Sequence, residues 1–226
     1  MKTFFLIVGL TLLTTSHAMA QDWPNLGKYA AHNDSLKALK PDAERVVFMG
    51  NSITEGWLYQ MPEFFENTHY IDRGIGGQTT PQMLIRFRPD VVELNPKVVV
   101  ILAGINDIAG NTGPMTVEQT FNNIQSMAEI ARANDIKVVL CTLVPSNILP
   151  WKKEINPVEP VAKLNKMLTA YAKKNKMTLV DYFKAMVDDK QGLDPKYTED
   201  GVHPTPAGYK VMAPLVEAGI KKAMKK

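Results

Sequence analysis

Short apolar runs alternate along this chain with longer segments of helical spacing. Residues 45–49 (RVVFM), 97–102 (KVVVIL), 136–143 (IKVVLCTL) and 177–180 (MTLV) are rich in β-branched side chains and read as strands buried on both faces. A weaker run covers residues 70–71. Between the runs, residues 117–133 place Phe121, Ile124, Met127, Ala128 and Ala131 on one stripe. Residues 161–173 do the same with Leu164, Met167, Leu168 and Tyr171. A last helix is predicted from about residue 206 to 225, with Pro206 in its first turn, where a missing N–H is harmless. This alternation predicts an α/β protein with a parallel sheet covered by helices on both faces and right-handed crossovers. Ligands of such sheets bind at the carboxyl ends of the strands.

The first twenty residues break this pattern. Lys2 precedes a short apolar stretch at 4–13, and Ala18-Met19-Ala20 is a small-x-small string before Gln21. Together they predict a signal peptide over 1–20, cleaved after Ala20. The stretch is too short to span a bilayer, and no later run is long enough. A lipoprotein would carry a cysteine just after the cleavage point; here that residue is Gln21. The expected product is exported, to the periplasm or the medium. Residues 21–226 suffice for one well-buried domain and contain no linker, low-complexity tract or internal repeat.

Composition excludes several classes. Cys141 is the single cysteine, so no internal disulfide can form, and its apolar neighbours predict an inert, buried thiol. The formal charge is +3. Lys221, Lys222, Lys225 and Lys226 complement the dipole of a helix end. No basic face interleaved with aromatics is present, so no nucleic-acid partner is expected. Apart from His203, the histidines are His17, His32 and His69, without metal-ligand spacing, so neither metal nor cofactor is expected.

Chemistry-bearing strings follow the predicted strands. Asn51-Ser52 follows the first, Gly74-Ile75-Gly76-Gly77 the second and Gly104-Ile105-Asn106-Asp107 the third. Asp200-Gly201-Val202-His203-Pro204 follows the last after a longer loop. Four distant segments are therefore expected at one edge of the sheet. A nucleophile, a base and a carboxylate that orients the base are the parts of serine acyl transfer. Histidine serves as the base because its ordinary pKa, about 6.5, lies near neutrality. Each string alone has a plainer reading: Ser52 as a helix cap, Asn106-Asp107 as a turn, the Asp-x-x-His pair as chance. The glycine string lacks both dinucleotide and P-loop spacing.

Taken in order, the strings resemble the four blocks of the SGNH hydrolases, also called the GDSL esterase/lipase group. The Ser block is Gly50-Asn51-Ser52-Ile53-Thr54-Glu55-Gly56-Trp57, and the Gly block is Arg73-Gly74-Ile75-Gly76-Gly77-Gln78-Thr79-Thr80. The Asn and His blocks are Gly104 to Asp107 and Asp200 to Pro204. The resemblance implies a three-layer α/β/α, flavodoxin-like fold with a five-stranded parallel sheet. It implies Ser52 as nucleophile, His203 as base and then acid, and Asp200 as orienter. The oxyanion hole would be the N–H groups of Ser52 and Gly77 with the Asn106 side chain; Gly76 is the competing donor. Two positions depart from the family pattern. Asn51 stands where the family has aspartate, and Asp72 where it has asparagine ahead of the Gly block.

The pattern is most similar to the acetylesterase-like and platelet-activating-factor-acetylhydrolase-like branch. It points to hydrolysis of a carbohydrate O-acetyl ester through an acyl-serine. A lipid acylhydrolase (lysophospholipase, thioesterase or platelet-activating-factor-acetylhydrolase-like enzyme) is the alternative, and a non-catalytic sugar-binding protein a remote one. Trp57 and Arg73 are candidate substrate contacts, each with a structural alternative in the core or in a pair with Asp72. Trp151 reads as core or as a sugar-stacking platform. It sits in the Pro-rich stretch 145–160, a strand-end loop expected to overhang the site.

Overall fold

The computed structural model describes residues 22–40, 42–66 and 68–225. The expected signal peptide at 1–20 lies outside the described residues. The elements run, in chain order, α1 (Gly27–Ala38), β1 (Val46–Gly50), α2 (Ser52–Glu55), α3 (Trp57–Gln60), β2 (Tyr70–Gly74), α4 (Thr80–Asp90) and β3 (Val98–Leu102). Then come α5 (Ile105–Ile108), α6 (Val117–Ala133), β4 (Lys137–Cys141), α7 (Val158–Lys174), β5 (Thr178–Val180), α8 (Tyr182–Met186) and α9 (Pro206–Met224).

The five strands pair in parallel in the order β2-β1-β3-β4-β5. Every residue of β1 and β3 is buried, which is why these strands read as unbroken apolar runs. Side chains alternate between two cores. Val47, Met49, Val99, Ile101, Val138 and Leu140 face α4, α6 and α7, where Phe87, Met127 and Leu164 pack. Val46, Phe48, Val98, Val100, Val139 and Cys141 face the opposite layer with Trp57, Tyr182, Tyr209 and Val216. Burying a Val, Leu or Ile side chain contributes about 1.5–3 kcal/mol. The sheet is therefore held from both faces, and the layers are α/β/α.

The chain leaves β1 for β2 on one side, then returns to β3 on the other. That reversal makes the carboxyl end of β1 a topological switch point, with a crevice above it. Ser52 begins α2 just beyond that end.

Two helices have no apolar stripe to announce them. In α1, Asn33 is the buried residue. In α4, the buried face carries Arg86 and Asp90, an ion pair at 2.9 Å, and Pro89 lies inside the helix. Polar residues on an inward face defeat a hydrophobic-period reading.

Candidate active site

The nucleophile candidate is presented by a one-turn helix. Asn51 caps α2, its Oδ1 accepting the Ile53 N–H at 3.3 Å. It thus fills the capping role an aspartate would, without the charge. From the far side, the Tyr209 hydroxyl of α9 donates to the Ile53 carbonyl at 2.6 Å. Gly56 makes room for this contact, since a Cβ there would stand 2.2 Å from that hydroxyl.

Asp200 and His203 come from the loop before α9. Asp200 Oδ1 accepts the N–H groups of Val202 and His203, both at 2.8 Å, which folds the loop around the carboxylate. Its Oδ2 lies 2.7 Å from His203 Nδ1. His203 Nε2 lies 2.9 Å from Ser52 Oγ. Burial pushes the Asp200 pKa up, but the hydrogen bonds from the His203 ring, His203 N–H and Val202 N–H outweigh it and hold the carboxyl below its ordinary value. The carboxylate is therefore ionised at neutral pH, and Ser52, His203 and Asp200 form one continuous hydrogen-bonded chain.

The glycine loop lies beside this chain. The Gly76 N–H is committed to Glu55 Oε2 at 2.7 Å, and Glu55 in turn pairs with Lys28. The Gly77 N–H donates no hydrogen bond among the described residues. Gly77 has φ of +75°, and a Cβ there would meet nothing within 4 Å, so its backbone faces open space. Of the two competing glycines, Gly77 is thus the one with a donor to spare. Asn106, buried on α5, donates one amide hydrogen to the Gln78 carbonyl at 3.0 Å, and its second is left for another acceptor. Asp107 does not point to the site. It accepts the N–H and hydroxyl of Thr80 at the start of α4, and burial raises its pKa to about 6.

A model of the GDSL-like lipase/acylhydrolase family matches residues 48–211. The chain belongs to this family. As a member it is a carboxylic ester hydrolase. The crystal structure of a GDSL-like lipase from Bacteroides thetaiotaomicron VPI-5482 superposes with a TM-score of 0.85 at 47% identity, covering 88% of this chain and 98% of that one. Platelet-activating factor acetylhydrolase IB subunit alpha2 of Rattus norvegicus is 28% identical over 82% of this chain and 80% of its own length. An acetylxylan esterase of Xylanibacter ruminicola is 26% identical over 83% of this chain, which spans only 45% of that protein.

Two candidate contacts of this acylhydrolase lie away from the crevice. Trp57 is 2% exposed and stacks on Phe64 with ring centroids 4.3 Å apart, edge-on to Tyr209. It is a core residue, not a site wall. Arg73 is wholly buried. Its guanidinium donates to Asn33 Oδ1 at 3.0 and 2.7 Å and to the Asp72 carbonyl at 2.6 Å, beneath the Tyr29 ring. With these donors engaged and no exposure, Arg73 has no access to substrate.

Other residues occupy the rim. Trp151 is 40% exposed, with its ring centroid 6.1 Å from that of His203. Its Nε1 donates to Asn111 Oδ1 at 3.0 Å, and Asn111 Nδ2 donates to the Gly77 carbonyl at 3.2 Å. Next to Gly77 an open cleft of about 370 Å³ is lined by Asp22, Trp23, Gln78, Gln82 and Thr112, among others. Asn111 and Trp23 carried no sequence signal of their own; only contact with a motif residue reveals them, while Glu55 lay inside the Ser block without a role assigned to it. A larger cleft, about 420 Å³, opens at the opposite edge of the sheet near Lys97, Arg132 and Lys137, away from all four motif segments. Among the described residues no group of three or more His, Cys, Asp or Glu side chains is placed to hold a metal ion. Cys141 is buried, which pushes its thiol up to about 12 and leaves it inert.

Proposed function

We propose that this protein is an exported serine esterase that removes acetyl groups from carbohydrates through an acyl-serine intermediate. The observation that carries this reading is the Ser52–His203–Asp200 chain, with steps of 2.9 and 2.7 Å, beside an uncommitted Gly77 N–H. His203 Nε2 takes the Ser52 proton as Oγ attacks the ester carbonyl. The oxyanion is met by the N–H groups of Ser52 and Gly77 and by Asn106 Nδ2. Losing one such donor typically lowers the rate about 100- to 1000-fold. His203 then protonates the departing alcohol, and water repeats the sequence to free the acid. Asp200 holds Nδ1 protonated and stabilises the imidazolium.

The acyl preference rests on the cleft beside Gly77. Most of its named walls are polar, so a long alkyl chain there would lose water without gaining apolar neighbours. The names of both relatives specify an acetyl group, and that of the acetylxylan esterase also a carbohydrate. Export is supported by the signal pattern of residues 1–20.

The test is a comparison of kcat/KM for p-nitrophenyl acetate, octanoate and palmitate, with acetate release from acetylated xylan. Acetate is expected to exceed palmitate by at least about ten-fold, since each added methylene must find room in a pocket. A preference for palmitate would sink the acetylesterase reading in favour of a lipid acylhydrolase.

A further inference from the structure

We propose that Trp151 is the stacking floor of a sugar subsite on the alcohol side of the ester; this rests on the esterase reading above. Of the two tryptophans that follow Ser52 in sequence, Trp57 is packed away at 2% exposure while Trp151 keeps 40%. A large exposed aromatic is unremarkable when it is loose. Trp151 is not loose. Its Nε1–H is fixed by Asn111 Oδ1, and the same Asn111 side chain grips the carbonyl of Gly77. One asparagine therefore sets the indole in register with the loop that carries the oxyanion donor.

The side of the ester that meets Trp151 follows from the chemistry. The alcohol oxygen must reach His203 Nε2 to be protonated as it leaves, while the carbonyl oxygen points toward Gly77 and Asn106. The indole centroid stands 6.1 Å from the imidazole centroid, with the two rings inclined by 35°. The indole therefore stands on the leaving-group side of Ser52, and its partner Asn111 forms the border with the cleft beside Gly77.

The surroundings suit a pyranose. A sugar ring is apolar on its C–H faces and polar around its rim, and Trp offers a flat apolar face with a hydrogen-bonded edge. Ile148 of the same loop is 43% exposed and lies against Gly201, where its Cγ2 would stand 2.6 Å from an added Cβ. It extends the apolar strip along the Asp200–His203 loop. Polar groups border that strip: Asn111 is exposed, and the Asp200 side chain keeps 41% of its surface. A ring with an apolar face and a hydroxylated edge matches this mixture.

The test has a binding arm and a kinetic arm. In the first, the Ser52→Ala protein is titrated calorimetrically with xylotriose, cellotriose and mannotriose. Binding of at least one is expected, weakened about ten-fold by adding Trp151→Ala and largely kept with Trp151→Phe. Binding of none, or equal binding by the Trp151→Ala double variant, overturns the subsite. In the second arm, Trp151→Ala is expected to lower kcat/KM about ten-fold more for acetylated xylo-oligosaccharide than for ethyl acetate, with the loss in KM. Ethyl acetate is the reference because p-nitrophenyl esters carry an aromatic alcohol that could itself stack. Equal losses on both esters would mean that Trp151 acts only through Asn111 on the Gly77 loop, which overturns the proposal. Failure of the unsubstituted protein to hydrolyse either ester would sink the acetylesterase reading instead, and the binding arm would still decide the subsite.

Discussion

Two aspartates of this protein meet opposite surroundings. Asp200 is ringed by N–H donors and the His203 imidazole, and its carboxyl stays below the ordinary range. Asp72 lies in β2 at 6% exposure. Its Oδ1 accepts the Gly74 N–H at 2.8 Å, but Oδ2 is buried with no hydrogen-bond partner among the described residues. Burial raises its pKa to about 7, against the lowering by Gly74 and Arg73. In the unfolded chain the same carboxyl titrates near about 4. Between those values the folded protein binds more protons than the unfolded one, so stability falls as pH rises from about 4 to about 7, then levels off. Asp72→Asn removes that linkage. Thermal melts should show it stabilising by roughly 1–3 kcal/mol at pH 8 and by less at pH 5. A gain no larger at pH 8 than at pH 5 would refute this account of Asp72. The sequence exposed Asp72 as a departure from the family pattern, but not its orphaned oxygen. That Ser52, Asp200 and His203 would meet was legible because their strings follow strand ends on one side of a parallel sheet, and the structure joins them by hydrogen bonds of 2.9 and 2.7 Å. Trp57 and Arg73 stayed open between a substrate contact and a structural place because adjacency to a motif says nothing about which way a side chain points. Trp57 turns into the aromatic cluster with Phe64 and Tyr209, and Arg73 into the Asn33 amide.

At the scale of elements, the legible strands were apolar on both faces and the legible helices had one clean apolar face. Helix α6 spans the residues its periodicity predicts, 117 to 133, and α9 ends within a residue of its expected end. Helix α4 was not legible because Arg86, Gln78, Asp90 and Asn33 fill its inner side with a connected polar network. Arg86 donates to Gln78 Oε1 at 2.6 Å, to Asp90 at 2.9 Å and to the Gly50 carbonyl at 2.9 Å. That network ties the end of β1 to the helix after the Gly block. The one-turn helix that begins at Ser52 depends on such distant props, because it has too few hydrogen bonds to stand alone. Tyr209 is the prop whose removal is simplest to read. Tyr209→Phe keeps the ring against Trp57 but loses the hydroxyl that holds the Ile53 carbonyl. It is expected to lower stability by about 1–2 kcal/mol in chemical denaturation, and to lower kcat more than it raises KM. A variant with unchanged stability and kcat would show that α9 does not position α2.

For the whole molecule, the strand order decides where the chemistry gathers. The reversal between β2 and β3 opens a crevice over β1, and the segments after β1, β2, β3 and β5 all reach it. Residues as distant as Ser52 and His203 thus come within 2.9 Å. The same crevice leaves Trp151 and Asn111 on its rim, where the alcohol of an ester would lie. The central claim is that Ser52 is the acylated residue. Intact-mass spectrometry after reaction with a fluorophosphonate should show one covalent adduct on the unsubstituted protein and none on Ser52→Ala. The same substitution should lower kcat/KM for p-nitrophenyl acetate by about 10⁴-fold or more. A Ser52→Ala protein that still takes up the label, or that keeps its esterase rate, would contradict the account.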